Sequence, residues 1–490
     1  MVNNITESKD SLKWCSVSLA DVISRGKRLE ASVFDVEAKR ARQIIANGKY
    51  PLTTIGGEKG LTTSYTGARF KRIWVENSDM PIYQPSTIVD IKPTPDGYIS
   101  HLTQTNIDAL RVHKGQILMT CSGTIGKVSY VSETLNDLIF SHDLLRIDCK
   151  HNVDQGYIYA YLKSKIGNKI LLTNSYGAVI THIEPEHLSS VPIPNAPDEV
   201  KGKINDLVVE SYKLRDESND LIDEATELLI QELKLPPIKD FNVDYYKMDA
   251  SVGTFSIKLS HMCGRADASY HVPIVAAIVE HLNKYAAEVT NIGDKRISKD
   301  IILAGVFKRT YVEEGYGYPF LGGKEITQLN PKTEKYLSKP IHKKRYEKEL
   351  KVTENTILVT DRGTIGITTL VPKQWNGYAV SQNVLKLIPA NEKIAGYIYI
   401  FLNSEWGNEL VRRQTYGSVV DMIDNNSLAS VEIPLLKNED IQKKINGLAL
   451  EANKKRYEAY LLEQEALRIM DEEVIYARSV SYTHLTLPTT

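Results

Sequence analysis

The sequence predicts an α/β (α+β) chain with a pseudo-twofold internal repeat, a mixed globular domain followed by one long helix, twice over. Three observations carry this: a set of motifs that returns after about 240 residues, short β-branched runs bounded by glycine turns within each copy, and a heptad pattern closing each copy. Ile117-Leu118-Met119-Thr120-Cys121-Ser122-Gly123-Thr124-Ile125-Gly126 returns as Ile357-Leu358-Val359-Thr360-Asp361-Arg362-Gly363-Thr364-Ile365-Gly366, 240 residues later. Gly156-Tyr157-Ile158-Tyr159 with Leu162, Ser164, Gly167 and Asn168 returns at the same offset as Gly396-Tyr397-Ile398-Tyr399 with Leu402, Ser404, Gly407 and Asn408. Tyr176-Gly177 pairs with Tyr416-Gly417, and Val191-Pro192-Ile193-Pro194 with Val431-Glu432-Ile433-Pro434. Upstream the offset is 237: Arg28-Leu29-Glu30-Ala31-Ser32 matches Arg265-Ala266-Asp267-Ala268-Ser269, and Phe70-Lys71-Arg72 matches Phe307-Lys308-Arg309. The period is far longer than a solenoid repeat, so two whole domains are repeated.

Within each copy, Ile117 to Thr120 and Ile357 to Thr360 read as strands, with Val128 to Val131 and Thr368 to Val371 as their hairpin partners. Tyr157 to Leu162 and Tyr397 to Leu402 begin short helices. Leu207, Leu214, Leu221, Leu228 and Leu235 then form a heptad, beside a ladder of small residues at Ser211, Ser218 and Ala225. The second copy repeats this with Leu448, Lys455, Leu462 and Ile469 beside Ala452, Ala459 and Ala466. Large residues beside small ones let two helices approach closely, so the two helices are expected to pack on each other. Lys213, Arg215, Asp216, Glu217 and Asp220 suit exposed faces. Pro236-Pro237 ends the first helix and Pro192, Pro194 and Pro197 precede it, which leaves room for a helix of roughly 57 Å. The expected division is 1–197 and 237–437 for the globular parts, 198–236 and 438–478 for the helices. The apolar, Thr-rich 479–490 resembles a translated sequencing adapter and reads as a non-native tail, the native chain then continuing beyond about Arg478.

Composition narrows the functional classes. The 490 residues are 42% hydrophobic and 25% charged, with 60 Lys plus Arg against 61 Asp plus Glu and a net charge of −1. That excludes a uniformly basic DNA coat while leaving room for a basic face. No apolar run approaches the roughly 20 residues of a membrane span. The four cysteines, Cys15, Cys121, Cys149 and Cys263, include no CxxC pair, which points to a reducing cytosol and away from a disulfide frame or zinc site. No GxxxxGK[ST] loop, HExxH or NPPY-like tetrapeptide occurs. His182 and His187 beside Glu184 and Glu186 suggest surface polarity more than a metal site. Cys121 and Ser122 become Asp361 and Arg362 in the matching loop, so the copies differ where a shared catalytic site would need identity. A common frame with different loop chemistry suits two modules reading two different targets.

Two basic clusters mark candidate DNA contacts. Arg69, Lys71 and Arg72 lie in the first copy, with Lys308 and Arg309 at the matching place in the second. Lys339, His342, Lys343, Lys344, Arg345, Lys348 and Lys351 follow. Lys and Arg neutralise phosphates, while amides such as Gln328 and Asn330 suit base edges. The 27 tyrosines against 8 phenylalanines favour wet interfaces.

These residues resemble the specificity subunit of Type I restriction–modification enzymes. The RLEAS and RADAS segments, the ILxTxxGTIG runs, the YG-to-IP stretches with the helices after them, and YPFLGGKEITQLNPKTEKYLS from Tyr318 to Ser338 carry the likeness over residues 14–478. The resemblance implies two target recognition domains, each reading half of a split DNA sequence, and two antiparallel coiled-coil helices that space them. It implies no catalysis by the chain itself, and a role in phage defence. Its partners would be double-stranded DNA, two methyltransferase subunits that methylate adenine N6 with S-adenosylmethionine, and restriction subunits that cleave with ATP and Mg, with no membrane. In this family the C-terminal segment helps close the structure with the N-terminal part. The middle of the first copy, Tyr83 to Ser100, fits the pattern less well. A related two-subunit restriction system and a duplicated protein-interaction scaffold without DNA specificity are the alternatives.

Overall fold

The chain was analysed as a computed structural model that describes residues 16–24, 27, 31–176, 181–241, 255–262, 264–331, 333, 335–417 and 420–478. The tail 479–490, residues 28–30 of the RLEAS segment, Gly177, Cys15 and Cys263 lie outside the described residues. Two compact units emerge: Met1–Asp216 with Leu461–Thr490, and Glu217–Tyr460. The division falls inside both long helices, so each unit holds part of each.

In the first unit the strands are β1 (Leu52–Thr54), β2 (Thr62–Tyr65), β3 (Trp74–Val75), β4 (Pro81–Tyr83), β5 (Gly97–Ile99), β6 (Ile117–Thr120), β7 (Val128–Tyr130), β8 (Ile139–Phe140), β9 (Leu144–Cys149) and β10 (Pro192–Pro194). They form a central sheet ordered β2-β9-β6-β7, a small sheet ordered β3-β5-β4-β8, and the pair β1-β10. The second unit has β11 (Glu288–Asn291), β12 (Ser298–Ile302), β13 (Tyr311–Val312), β14 (Gly317–Leu321), β15 (Tyr336–Ser338), β16 (Ile357–Thr360), β17 (Thr368–Leu370), β18 (Ala379–Val380), β19 (Val384–Pro389) and β20 (Glu432–Leu435). Its sheets, β12-β19-β16-β17, β13-β15-β14-β18 and β11-β20, repeat the topology strand for strand. Pairing is antiparallel except β4 with β8 and β14 with β18, which are parallel. Pro192 and Pro194 are tolerated because β10 pairs on one side only, with β1.

The repeated motifs are frame, and the reason is local. In the turn after β6, Gly123 and Gly126 have φ of 68° and 83°; after β16, Gly363 and Gly366 have 73° and 87°. Thr120 Oγ1 donates to the Thr124 carbonyl at 2.6 Å and accepts from the Lys127 N–H at 3.0 Å; Thr360 does the same with Thr364 and Ile367. Asn168 and Asn408 donate to the carbonyls of Gly126 and Gly366. In the GYIY segments, on helices Val153–Lys163 and Glu392–Asn403, Tyr157 and Tyr397 donate to the carbonyls of Pro194 and Pro434 at 2.5 and 2.6 Å. Each helix presses flat on a long one: a Cβ on Gly156 would come within 2.5 Å of Asn205 Cα, and one on Gly396 within 2.4 Å of the Asn446 carbonyl.

The first long helix runs Asp198–Leu233 and the second Glu439–Ile469, continued by a π-helical turn, Met470–Ile475. In the second unit Glu217 pairs with Lys455 at 2.7 Å and Glu224 with Lys444 at 2.9 Å. Numbers rise along one helix as they fall along the other, so the helices run antiparallel. They also pack on the globular parts. Ile204, Val208 and Tyr212 join Ala466, Ile469 and Met470 in the first core. Ile222, Ala225 and Leu229 join Ile445, Ala449 and Ala452 in the second.

The small ladder is the deepest part of the seam: Ser211, Ser218, Ala225, Ala452, Ala459 and Ala466 are buried. Leu207, Leu214, Leu221, Leu228, Leu448 and Leu462 are half-buried at its flanks, and Ile469 is buried. Close approach of two backbones leaves room only for small side chains between them. Ala452→Leu is therefore expected to overpack the seam and cost about 1–3 kcal/mol, read as a lowered thermal midpoint.

Three charged residues depart from the expected exposed face. Lys213 and Asp220 are exposed, but Arg215, Asp216 and Glu217 are not. Asp216 accepts from Ser132 Oγ at 2.7 Å, from the Glu133 and Thr134 N–H groups and from Thr134 Oγ1. A heptad pattern marks which helix face is polar, not whether a loop lies over it.

Each central sheet buries one cation at matching positions, Arg146 and Lys386. Arg146 Nη2 donates to the carbonyls of Leu110 and Phe140, Lys386 Nζ to that of Lys351 at 2.9 Å. Burial, only partly offset by Glu349 and Asp300, lowers the Lys386 ammonium to about 8. Its folded pKa lies below the unfolded one, so the charged form is disfavoured in the native state. Stability is expected to rise by about 3 kcal/mol as pH climbs from about 8 to about 10.5. Denaturant titrations across that range should lose this slope in Lys386→Met.

Candidate nucleic-acid interface

The basic residues sit where the chain leaves the central sheet for the small one. In the first unit the link from β2 to β3 carries Arg69 and Lys71, both exposed, and half-buried Arg72. The Arg72 guanidinium lies 5.7 Å from the Phe70 ring centroid and 5.9 Å from that of Trp74. Phe70 meets His142 edge-on at 6.2 Å. Burial lowers the His142 pKa, with Arg72 and Arg69 adding to the effect and Asp143 opposing it, so the imidazole is biased toward its neutral form.

The second unit repeats this plan with other partners. Lys308 is exposed, and Arg309 lies 5.3 Å from the Phe320 ring centroid. Helix Lys339–Arg345 brings in the second cluster. Its Arg345 lies 5.0 Å from the Phe307 ring, donates to the Gly305 carbonyl at 3.2 Å and pairs with Glu349 at 2.6 Å. His342 meets the same Phe307 ring at 5.5 Å and accepts from the Thr310 N–H at 3.1 Å. Burial and Arg345 lower its pKa. Lys343 and Lys344 point outward, exposed. Arg345 and His342 are thus drawn together around Phe307, with Lys308 beside it, while Arg309 lies on Phe320 of the same apolar cluster.

The two amides are placed differently. Gln328 is 8% exposed and donates to the Lys324 carbonyl of its own loop. That loop packs on the segment after β16: Thr369 donates to the Ile326 carbonyl, Trp375 and Gln374 to that of Leu329. Asn330 is half-buried on the same loop. The structure therefore joins Arg309, Arg345 and the exposed lysines but sets Gln328 inside.

Sequence reasoning missed the apolar members of these patches. Trp74, Ile73 and Leu102 are exposed in the first unit, Leu102 at 76%. In the second, Val306 is 81% exposed, and Tyr316 and Ile341 are also outward. The matching Phe70-Lys71-Arg72 and Phe307-Lys308-Arg309 triplets were the available signal, with an aromatic beside each basic pair. Elsewhere the loops differ as expected. Ser122 Oγ lies 2.9 Å from His182 Nδ1, while Arg362 pairs with Asp361 at 2.9 Å. His187 accepts from the Glu184 N–H, and Tyr176 donates to Glu184, so this histidine–glutamate group caps a helix. Among the described residues no group of three or more His, Cys, Asp or Glu is placed to hold a metal, and no helix is long and apolar enough to cross a membrane.

The family model of the Type I restriction modification DNA specificity domain matches residues 13–214 and 300–447. Among solved structures, the S subunit of a Type-I restriction-modification system from M. genitalium matches at 14% identity and TM-score 0.34, covering 88% of this chain and 96% of its own. The HsdS subunit from Thermoanaerobacter tengcongensis matches at 14% identity and TM-score 0.27, over 86% of this chain and 99% of its own. No curated protein matches the sequence. The two matched stretches cover well over half of the chain, and it belongs to the Type I restriction modification DNA specificity domain family.

Proposed function

We propose that this chain reads a bipartite DNA target, one half-site per unit, and directs adenine methylation and restriction by partner subunits. The observation that carries this reading is the contrast between frame and patch. The turns, caps and sheet orders are duplicated, yet the basic patches around Phe70 and Phe307 differ in composition. Arg72 with Trp74 and the exposed Arg69 and Lys71 stand in one; Arg345 on Phe307, Arg309 on Phe320 and the exposed Lys308, Lys343 and Lys344 stand in the other. Such patches position on phosphates through Lys and Arg and read bases through the side chains between them. The antiparallel helices serve as the spacer between half-sites, and linking two weak readers raises their joint affinity.

In this reading the chain carries no active site and holds no cofactor. Two methyltransferase subunits bring S-adenosylmethionine, and restriction subunits bring ATP and Mg. A related two-subunit system would use the same chain differently, and neighbouring genes separate the two.

The test is methylome sequencing of a host expressing this chain with its neighbouring methyltransferase. A bipartite N6-methyladenine motif that vanishes on deletion of this gene is the expected result. Exchanging the second unit's small sheet for that of a relative should change one half-site only. A change in both half-sites, or no motif with a methyltransferase shown active beside another specificity subunit, would overturn the reading.

A further inference from the structure

The helix pair is held differently in the two units. In the first, three helices meet at Glu463, which is 1% exposed. Tyr159 and Lys163, from helix Val153–Lys163, both donate to its carboxylate, and Arg215 Nη2 lies 3.0 Å from Oε2. The Arg215 guanidinium lies 4.1 Å from the Tyr212 ring centroid, and the Tyr212 and Tyr159 hydroxyls are 3.3 Å apart.

Along the repeat, Tyr159 corresponds to Tyr399, Lys163 to Asn403, Arg215 to Arg456 and Glu463 to Ile222. The second unit keeps the tyrosine and the arginine but has an asparagine and a buried isoleucine in place of the lysine and the carboxylate. Its Arg456 donates to Ser218 Oγ at 3.3 Å.

This difference matters because the two helices are alike. The first unit is completed by residues from 461 onward, and the stretch of the first helix in the same heptad phase begins at 220. Ala466 corresponds to Ala225, Ile469 to Leu228, Met470 to Leu229 and Val474 to Leu233. Apolar packing distinguishes the two stretches weakly, because heptad seams with the same spacing accept each other. Charge distinguishes them strongly. If residues 220–234 of a second copy docked on the first unit, Ile222 would sit between Lys163 and Arg215. Arg215, largely buried, and the half-buried Lys163 would then lose the carboxylate that answers them, which is far worse than either a complete pair or an apolar one.

We propose that Glu463 is the selector that makes the first unit accept the end of the second long helix and refuse the equivalent stretch of the first helix from another copy of the chain. It is a positioning residue and keeps the closure within one molecule.

The test uses the full chain and sedimentation velocity over a range of concentrations. Ile222→Glu gives the first helix the selecting carboxylate and leaves it beside Arg456, which stands where Arg215 stands in the first unit. The wild type is expected to sediment as a monomer. Ile222→Glu is expected to shift toward a dimer as concentration rises. Should that variant fail to fold, Lys163→Met/Arg215→Leu/Glu463→Leu removes the charges from the joint. It should dimerise likewise, because both stretches then fit equally. A wild type that dimerises as readily as the variant, or a folded variant as monomeric as the wild type, would overturn the proposal. No DNA enters the measurement, so its failure is distinguishable from failure of the recognition reading.

Discussion

Glu463→Ala is expected to destabilise the first unit by about 3–5 kcal/mol, the usual penalty for stripping one partner from a buried ion pair. The residue left behind matters more than the one removed. Lys163 and Arg215 would remain in a joint with Tyr159 and Tyr212, their charges no longer answered by Glu463. Glu463→Gln keeps the shape and part of the hydrogen bonding, so it should fall between wild type and alanine. For a unit of this size the alanine change should lower the thermal midpoint by roughly 10 °C. A shift within the ordinary scatter of surface substitutions would show that the joint is not a stability determinant.

The same residue has a pH signature. Burial pushes its carboxyl up, but the charges of Lys163 and Arg215 outweigh that and hold it at about 2, below the usual 4.5. A depressed folded pKa contributes stability that is fully present above about 4.5 and is lost as pH falls toward 2. Acid unfolding of the wild type should therefore be steeper across that interval than acid unfolding of Glu463→Gln, compared by circular dichroism.

Lys343→Ala/Lys344→Ala should weaken DNA binding without changing what is read. Both side chains are exposed on helix Lys339–Arg345, beside the patch built on Phe307. If each neutralises one phosphate, removing both lowers the steepness of log affinity against log salt by about 1.8, from about 0.9 per contact. The loss should be uniform across sequences, since phosphates carry no base information. Arg309→Ala should behave otherwise if its guanidinium reaches a base, relaxing one position of one half-site. Fluorescence anisotropy at several salt concentrations separates the cases. An unchanged salt slope in the double variant would remove those lysines from the interface.

How far the sequence could be read follows from what kind of constraint each feature obeys. The duplicated fold was legible because its motifs are local. Two left-handed glycines with a threonine brace make a hairpin turn wherever they occur, and a serine three residues before a glycine N–H caps a helix. Such constraints repeat with the chain, so the ILxTxxGTIG and GYIY segments declared the strands and helices that the structure contains. The first long helix was legible because proline bracketed a heptad pattern, and the second because it repeats that pattern.

What the sequence left open depends on partners distant along the chain. Arg215, Asp216 and Glu217 look like one exposed charged run, yet a loop lies over Asp216 and a helix end some 250 residues away brings Glu463 to Arg215. Gln328 looks like a base reader, and Trp375 and Thr369 hold its loop inward. Phe307 looks like one aromatic in a basic stretch, and only folding gathers Arg345 and His342 around it. The sequence alone determined the repeat, the turns, the caps and the two long helices, because short-range backbone and steric rules specify them. The tertiary structure decided which charges are buried, which loops lie over the long helices and which basic residues share a surface, because burial and electrostatics depend on neighbours that only folding brings near.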